Sequence, residues 1–114
     1  MSEAEARAAY ERDAIPGPGR PLFEVAMANF NPWAATKINY RNNGRAPLLL
    51  IAGEQDNIVP PAVVAETFRN YSRSQAVTAY KQFPGRSHLI AGQEGWEEVA
   101  DYALDWANAH RRAA

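Results

Sequence analysis

The chain has 114 residues, of which 46% are hydrophobic and 22% charged, and its formal net charge at pH 7 is −1. A chain of this length is expected to form no more than one domain, and its balanced charge produces no broad field to attract nucleic acid or an anionic membrane. The absence of cysteine excludes disulfides and thiolate zinc sites. No apolar run approaches the length of a membrane span, and the first residues lack the apolar core of a signal peptide. We therefore predict a cytoplasmic protein without a nucleic-acid or membrane partner.

The first 45 residues are predicted to form two helices and a loop. Ser2 and Glu5 have the spacing of a capping box, which predicts a helix near residues 2–13. The Pro- and Gly-rich segment 16–21 cannot sustain a helix and is predicted to be a loop. Apolar side chains then recur at helical spacing, and this second, amphipathic helix should stop at Asn31–Pro32. The recurring residues are Leu22, Phe23, Ala26, Met27 and Phe30.

The second part of the chain alternates predicted strands and helices. Residues 48–52 are a continuous apolar run, as in a parallel strand covered on both faces. A helix is expected over 61–71, and a less regular strand over 77–83. A helix from Glu94 onward follows, with acidic residues in its first turn. Its predicted apolar stripe consists of Trp96, Val99, Ala100, Ala103, Leu104 and Ala107. This order implies two parallel strands joined by a right-handed crossover, and thus an α/β fold.

Two residues with catalytic chemistry follow these two predicted strands. Asp56 comes shortly after the first strand and His88 shortly after the second. The carboxyl ends of parallel strands meet at one edge of a sheet, where a carboxylate can hold the tautomer of an imidazole. Taken singly, each residue has an ordinary structural interpretation as a turn acid or a loop histidine. Their combination predicts the acid and base of a catalytic triad.

Residues 46–110 resemble the C-terminal part of an α/β-hydrolase. In that family the acid stands in a Gly-x-x-Asp turn after a late strand, matched here by residues 53–56, and Val-Pro often follows, matched by residues 59–60. The family's histidine stands in a Gly-x-Ser-His loop after the last strand, matched by residues 85–88, and a final helix follows. Residues 1–45 resemble, by position and composition, the helical cap that precedes the acid-bearing strand. The resemblance implies that Asp56 and His88 act in ester or acyl hydrolysis without a cofactor or metal.

The nucleophile of such a triad is missing, since no Gly-x-Ser-x-Gly occurs in the 114 residues. The resemblance therefore implies a partial hydrolase, inactive alone, that acts on an ester-like small molecule only when it is completed. We expect a truncated gene product, or a reading frame whose Met1 is internal to a longer enzyme. The open sheet edge leaves a second interpretation, a non-catalytic module or remnant that pairs with another chain or with a second copy.

Other chemistries in the same residues are weaker alternatives. Ser87 adjoins His88, so their side chains should diverge, and Ser72 and Ser74 lie in a polar turn. Glu54 with Asp56 and His88 would offer three metal ligands, but their spacing matches no recognised metal signature. Phe23, Met27, Phe30 and Trp33 either line an acyl pocket or, as amphipathic helices more often do, pack into a core.

Overall fold

The structure is a computed structural model that describes residues 1–31, 33 and 37–111. Residues 32, 34–36 and 112–114 lie outside the described residues, and Pro32 of the predicted stop of the second helix is one of them. The described elements are α1 (Glu3–Asp13), α2 (Arg20–Met27), a 3₁₀ turn (Ala28–Phe30), β1 (Leu48–Gly53), α3 (Pro61–Tyr71), β2 (Thr78–Phe83) and α4 (Trp96–Ala109).

The contacts divide the chain into two compact units, one of Ser2–Asn39 and one from Tyr40 onward. The sequence placed a boundary six residues later, after residue 45. Residues 40–45 belong with the sheet because Tyr40 packs edge-on against Tyr71 of α3, with ring centroids 5.0 Å apart. The side chain of Asn43 also accepts the N–H of Gln75 at 2.9 Å.

The unit of residues 2–39 holds the two predicted helices. The capping box of α1 is formed in both directions, since Glu5 N–H donates to Ser2 Oγ and Ser2 N–H donates to Glu5 Oε2. The amphipathic segment forms α2 and the 3₁₀ turn, as predicted. The predicted loop over 16–21 is wrong at its last two residues, because α2 begins at Arg20 and Pro21 is tolerated in the first turn of a helix. Neither helix contains a buried residue. The expectation that the apolar side chains of the second helix pack into a core is therefore wrong. The large exposed apolar side chains of α2 and the residues just after it are Leu22, Phe23, Val25, Met27, Phe30 and Trp33.

The second unit is built on a two-stranded parallel sheet, as predicted. β1 and β2 pair in register from Leu48 opposite Thr78 to Gly53 opposite Phe83. The crossover helix α3 begins at Pro61, where the missing amide N–H costs little because the first turn of a helix leaves its donors unpaired. The chain is therefore a small α/β protein in which the carboxyl ends of both strands lie at the same edge.

Each face of the sheet contacts one helix. Tyr80 lies beside Phe68 of α3, whereas Phe83 meets Tyr102 of α4 edge-on at a centroid distance of 5.6 Å. Residues 80 and 83 are an odd number of positions apart on β2, so their side chains leave opposite faces. The helices α3 and α4 thus contact opposite faces of the sheet.

The core between these elements is small. Among the described residues, only Ala52, Phe83 and Val99 are buried apolar residues. The predicted stripe of α4 is wrong in part, because Trp96 and Leu104 are 45% and 60% exposed. The side of α4 that is at least partly buried is a different stripe at helical spacing, which includes two aromatic residues. It consists of Val99, Tyr102, Ala103 and Trp106.

Among the helices of the described residues, none combines the length and the apolar character that a membrane crossing requires.

Candidate active site

The loop after β1 fixes the carboxylate of Asp56. Its Oδ1 accepts the backbone N–H groups of Ile58 at 2.9 Å and Val59 at 2.8 Å, so Asp56 closes a tight turn over its own backbone. Its side chain is only 12% exposed. The two amides hold one carboxylate oxygen and leave the other, Oδ2, free to face a second loop.

This environment lowers the pKa of Asp56. Partial burial is the strongest single influence and raises the pKa, because it disfavours the charged carboxylate. The opposing effects are larger in sum: the hydrogen bonds from Val59 N–H, His88 and Ile58 N–H, together with the charge of His88, all favour the ionised form. Asp56 is therefore a carboxylate at neutral pH.

The loop after β2 brings His88 to this carboxylate. His88 Nδ1 lies 2.9 Å from Asp56 Oδ2 and 3.2 Å from Oδ1, across 32 residues of sequence. A carboxylate only accepts hydrogen bonds, so Nδ1 carries the proton and donates it. In the neutral imidazole Nε2 is then the basic nitrogen. The His88 side chain is 45% exposed, which leaves this ring accessible from solvent.

The structure thus brings together the two residues that the sequence singled out. Each follows its strand by a few residues, and the parallel pairing places both loops at the carboxyl edge of the sheet. The spacing by itself only predicted a shared edge. The direct contact depends on further bonds between the loops that the sequence analysis missed.

Three features hold the two loops against each other. Glu54 Oε2 accepts the N–H of Gly85 at 2.9 Å, and the carbonyl of Arg86 accepts the N–H of Gln55 at 2.9 Å. Gly53 lets the backbones approach, because a Cβ there would lie 2.5 Å from the Arg86 oxygen. The Gly-x-x-Asp turn was the available signal for Gly53. No local signal marked Glu54 or Gln55 as partners of the second loop.

The hydroxyls of the three serines considered as nucleophiles bond to groups other than His88. Ser87 Oγ donates to Gln93 Oε1 at 2.9 Å, which turns the hydroxyl to another partner. Ser72 and Ser74 donate to carbonyl oxygens of Arg69 and Asn42. These two serines precede β2 while His88 follows it, and a strand of six residues spans about 17–20 Å.

The metal alternative gains no support from geometry. Among residues 1–31, 33 and 37–111, no group of three or more His, Cys, Asp or Glu side chains is arranged to hold a metal ion. The carboxylate of Glu54 is occupied by the N–H of Gly85 instead.

Comparisons with known proteins do not assign the chain to a family: no family model, curated protein or solved structure matches it. The chemistry therefore has to be argued from the site itself. An ionised carboxylate that orients an exposed imidazole is the arrangement of a general base, which takes a proton at Nε2 while the carboxylate stabilises the resulting imidazolium.

Proposed function

We propose that Asp56 and His88 are the acid and base of a catalytic triad of the α/β-hydrolase type, which acts in ester or acyl hydrolysis. The observation that carries the proposal is the 2.9 Å contact between Asp56 Oδ2 and His88 Nδ1 at the carboxyl edge of a parallel sheet. Active sites of open α/β sheets occupy this edge. The nucleophile is supplied from outside the 114 residues, either by a further segment or by a second chain.

In the completed site the two residues have distinct roles. His88 Nε2 takes the proton of the attacking hydroxyl and later delivers it to the leaving group. Asp56 keeps the proton of the resting imidazole on Nδ1 and stabilises the imidazolium once it forms. Attack on an ordinary, unactivated ester and stabilisation of the oxyanion require groups that these residues do not provide.

The state of β1 supports a sheet that continues past it. Leu48 N–H donates to the carbonyl oxygen of Val77, and Glu54 N–H donates to that of Phe83. The backbone N–H and C=O groups of the even-numbered residues of β1 therefore point toward β2. Leu49 and Ile51 direct their backbone groups to the other edge, and no described backbone group bonds to them there. Their side chains are only half-buried, although the strand has the composition of a fully covered one.

The proposal is tested with an activated ester that needs no separate nucleophile. His88 Nε2 can attack p-nitrophenyl acetate directly, which releases p-nitrophenolate and forms an acyl-imidazole that water hydrolyses. The chain has only two histidines, so His110→Ala is a matched control. A positioned imidazole base typically contributes about 10²-fold or more, and for His88→Ala we expect a loss of at least about tenfold, with His110→Ala unchanged.

The variant Asp56→Asn tests whether the activity of His88 depends on Asp56 or only on the exposure of the imidazole. The amide cannot stabilise an imidazolium as a carboxylate does, so we expect this variant to hydrolyse the ester at a rate between those of the wild type and His88→Ala. Equal rates for the wild type and His88→Ala would contradict the proposal. Equal rates for the wild type and Asp56→Asn would mean that His88 reacts as any exposed histidine does, without help from Asp56.

The open edge of β1 favours one second candidate, a non-catalytic module that pairs through this strand. Leu49 and Ile51 offer the unpaired donors and acceptors that strand addition uses. β1 carries no charge or proline to discourage pairing. This function predicts concentration-dependent association in sedimentation velocity that His88→Ala leaves unchanged. A monomer at all concentrations would exclude self-pairing, while loss of ester turnover in His88→Ala would favour the enzyme.

A further inference from the structure

Gln93 is the one buried polar residue among those that the structure describes, with 9% of its surface exposed. It lies between the loop that carries His88 and the start of α4. Its Oε1 accepts two hydrogen bonds from one residue, Ser87, from the backbone N–H at 2.8 Å and from the hydroxyl at 2.9 Å. A buried amide with two such bonds fixes the segment that it contacts, because breaking them leaves buried groups unsatisfied.

The bonds from Gln93 reach both neighbours of His88 in the chain. Ser87 Oγ, held by Gln93, also accepts the N–H of Leu89 at 3.3 Å. The carbonyl of Leu89 accepts the backbone N–H of Gln93 at 2.9 Å. Residues 87 and 89 are therefore both hydrogen-bonded to residue 93. These bonds fix the backbone conformation of His88, which lies between them. Within the described residues, the bonds to Gln93 Oε1 come from Ser87 and not from the imidazole itself.

The rest of the loop is anchored independently. Residues 85 and 86 are held by Glu54 and Gln55 of the first loop. The guanidinium of Arg86, whose side chain is only 13% exposed, donates to the carbonyls of Glu94 and Gly95 at 2.6 and 2.7 Å. These bonds fix the loop as far as residue 86. Residues 87–89 are held by Gln93, together with a backbone bond from the N–H of Gly92 to the carbonyl of Leu89 at 2.8 Å.

We infer that Gln93 is a positioning residue for His88, which holds the Ser87–Leu89 backbone so that Nδ1 meets the carboxylate of Asp56. The catalytic meaning of this role rests on the proposed function, but the geometric role does not. Without Gln93 the ring is released from Asp56, and its proton is free to move to Nε2, the nitrogen that has to stay basic.

The test is the tautomer of His88, read from the ¹⁵N chemical shifts of its ring nitrogens in the whole chain at neutral pH. The second histidine is assigned by its loss in His110→Ala. The wild type should show the proton on Nδ1. In Gln93→Leu, which removes the acceptor at similar volume, we expect the His88 shifts to move toward the Nε2–H form that free histidine prefers. Gln93→Glu keeps an acceptor for both bonds and should restore the Nδ1–H form.

Two controls separate positioning from general destabilisation. Gln82→Leu removes an exposed amide that accepts the hydroxyl of Tyr80 at 2.9 Å, away from the loop. Val99→Ala truncates a buried residue of α4 and lowers stability without removing a bond to Ser87. Both should keep the wild-type tautomer. Should Gln93→Leu fail to fold, Ser87→Ala removes the hydroxyl's bonds to Gln93 and to Leu89 but keeps the bond from the Ser87 N–H to Gln93, and it should shift the tautomer part of the way.

Wild-type shifts in a folded Gln93→Leu, or shifts in Val99→Ala as large as in Gln93→Leu, would overturn the inference. So would wild-type shifts in Ser87→Ala, if that variant has to replace Gln93→Leu. The assay of ester hydrolysis is read separately. A tautomer that responds to Gln93 without any turnover would refute the proposed function alone, whereas turnover with an unresponsive tautomer would refute the positioning role alone.

Discussion

The two ends of the small sheet are built from similar bonds but leave different groups exposed. At the amino end, the guanidinium of Arg45 joins both strands by donating to the carbonyls of Ala46, Ala76 and Val77 and to the hydroxyl of Thr78. At the carboxyl end, backbone and carboxylate bonds join the two loops, and a basic imidazole stays exposed.

The difference lies in the kind of group that each end of the sheet uses. Arg45 uses a permanently charged group to satisfy backbone carbonyls, which strengthens the fold but has no proton to exchange. The pair of Asp56 and His88 instead combines an ionised carboxylate with an imidazole whose Nε2 can accept a proton. The amino end is expected to determine stability, and the carboxyl end the state of the imidazole.

The largest expected effect on stability comes from the amino end. Arg45→Ala removes hydrogen bonds from a charged donor to several carbonyls, and we expect a loss on the order of 3 kcal/mol in the free energy of unfolding by urea. Arg45→Lys should recover little of it, because an ammonium cannot span two strands as a planar fork does. The His88 ring shifts of the folded protein should not change. A changed tautomer would show that the two ends are coupled.

A smaller effect on stability, but a direct effect on the site, is expected for Gly53→Ala. The added methyl would lie 2.5 Å from the oxygen of Arg86 and 2.8 Å from that of Ser87, so the two loops have to separate. Overpacking of this kind typically costs about 1–3 kcal/mol. We expect about 2 kcal/mol in urea unfolding, together with loss of the Nδ1–H form of His88.

Gly92→Ala is the matched control for this substitution. Its added Cβ would meet only the oxygen of Leu89, at 4.0 Å, and a glycine replaced without strain gains up to about 1 kcal/mol through the unfolded chain. Equal behaviour of the Gly53 and Gly92 variants would mean that the close approach of the loops has no energetic consequence.

The smallest effect is a pH dependence carried by Asp56. Its pKa is lowered in the folded chain, so the folded state holds fewer protons than the unfolded state, where the pKa is about 3.9. The stabilisation that follows is present above that pH and is lost as the pH falls through the lower, folded value. We expect urea unfolding between pH 6 and 3 to show a decline below about pH 4 that is weaker in Asp56→Asn. The same decline in both would assign the effect to other carboxylates.

Local patterns in the sequence determined most of the elements and the two candidate site residues. The capping box at Ser2 and Glu5, the apolar run at 48–52 and the proline at the start of α3 all act within a few residues, so their outcome can be predicted without knowing the fold. Parallel pairing then follows from element order, which is why Asp56 and His88 were expected at one edge.

Other features depended on which residues meet across the fold. The 3.6-residue period of α4 is compatible with more than one buried stripe of apolar side chains. The contact between Tyr102 and Phe83 shows which stripe packs against the sheet. Arg45 looks like an ordinary polar residue in the sequence, because its hydrogen bonds reach carbonyls more than 30 residues further along the chain. Gln93 looks equally ordinary, because its partner Ser87 lies in the same irregular connection, whose path no periodic pattern predicts. The sequence by itself determined which two residues are the candidates for catalysis. The tertiary structure decided how the imidazole is held, since that depends on bonds between segments about 30 residues apart along the chain.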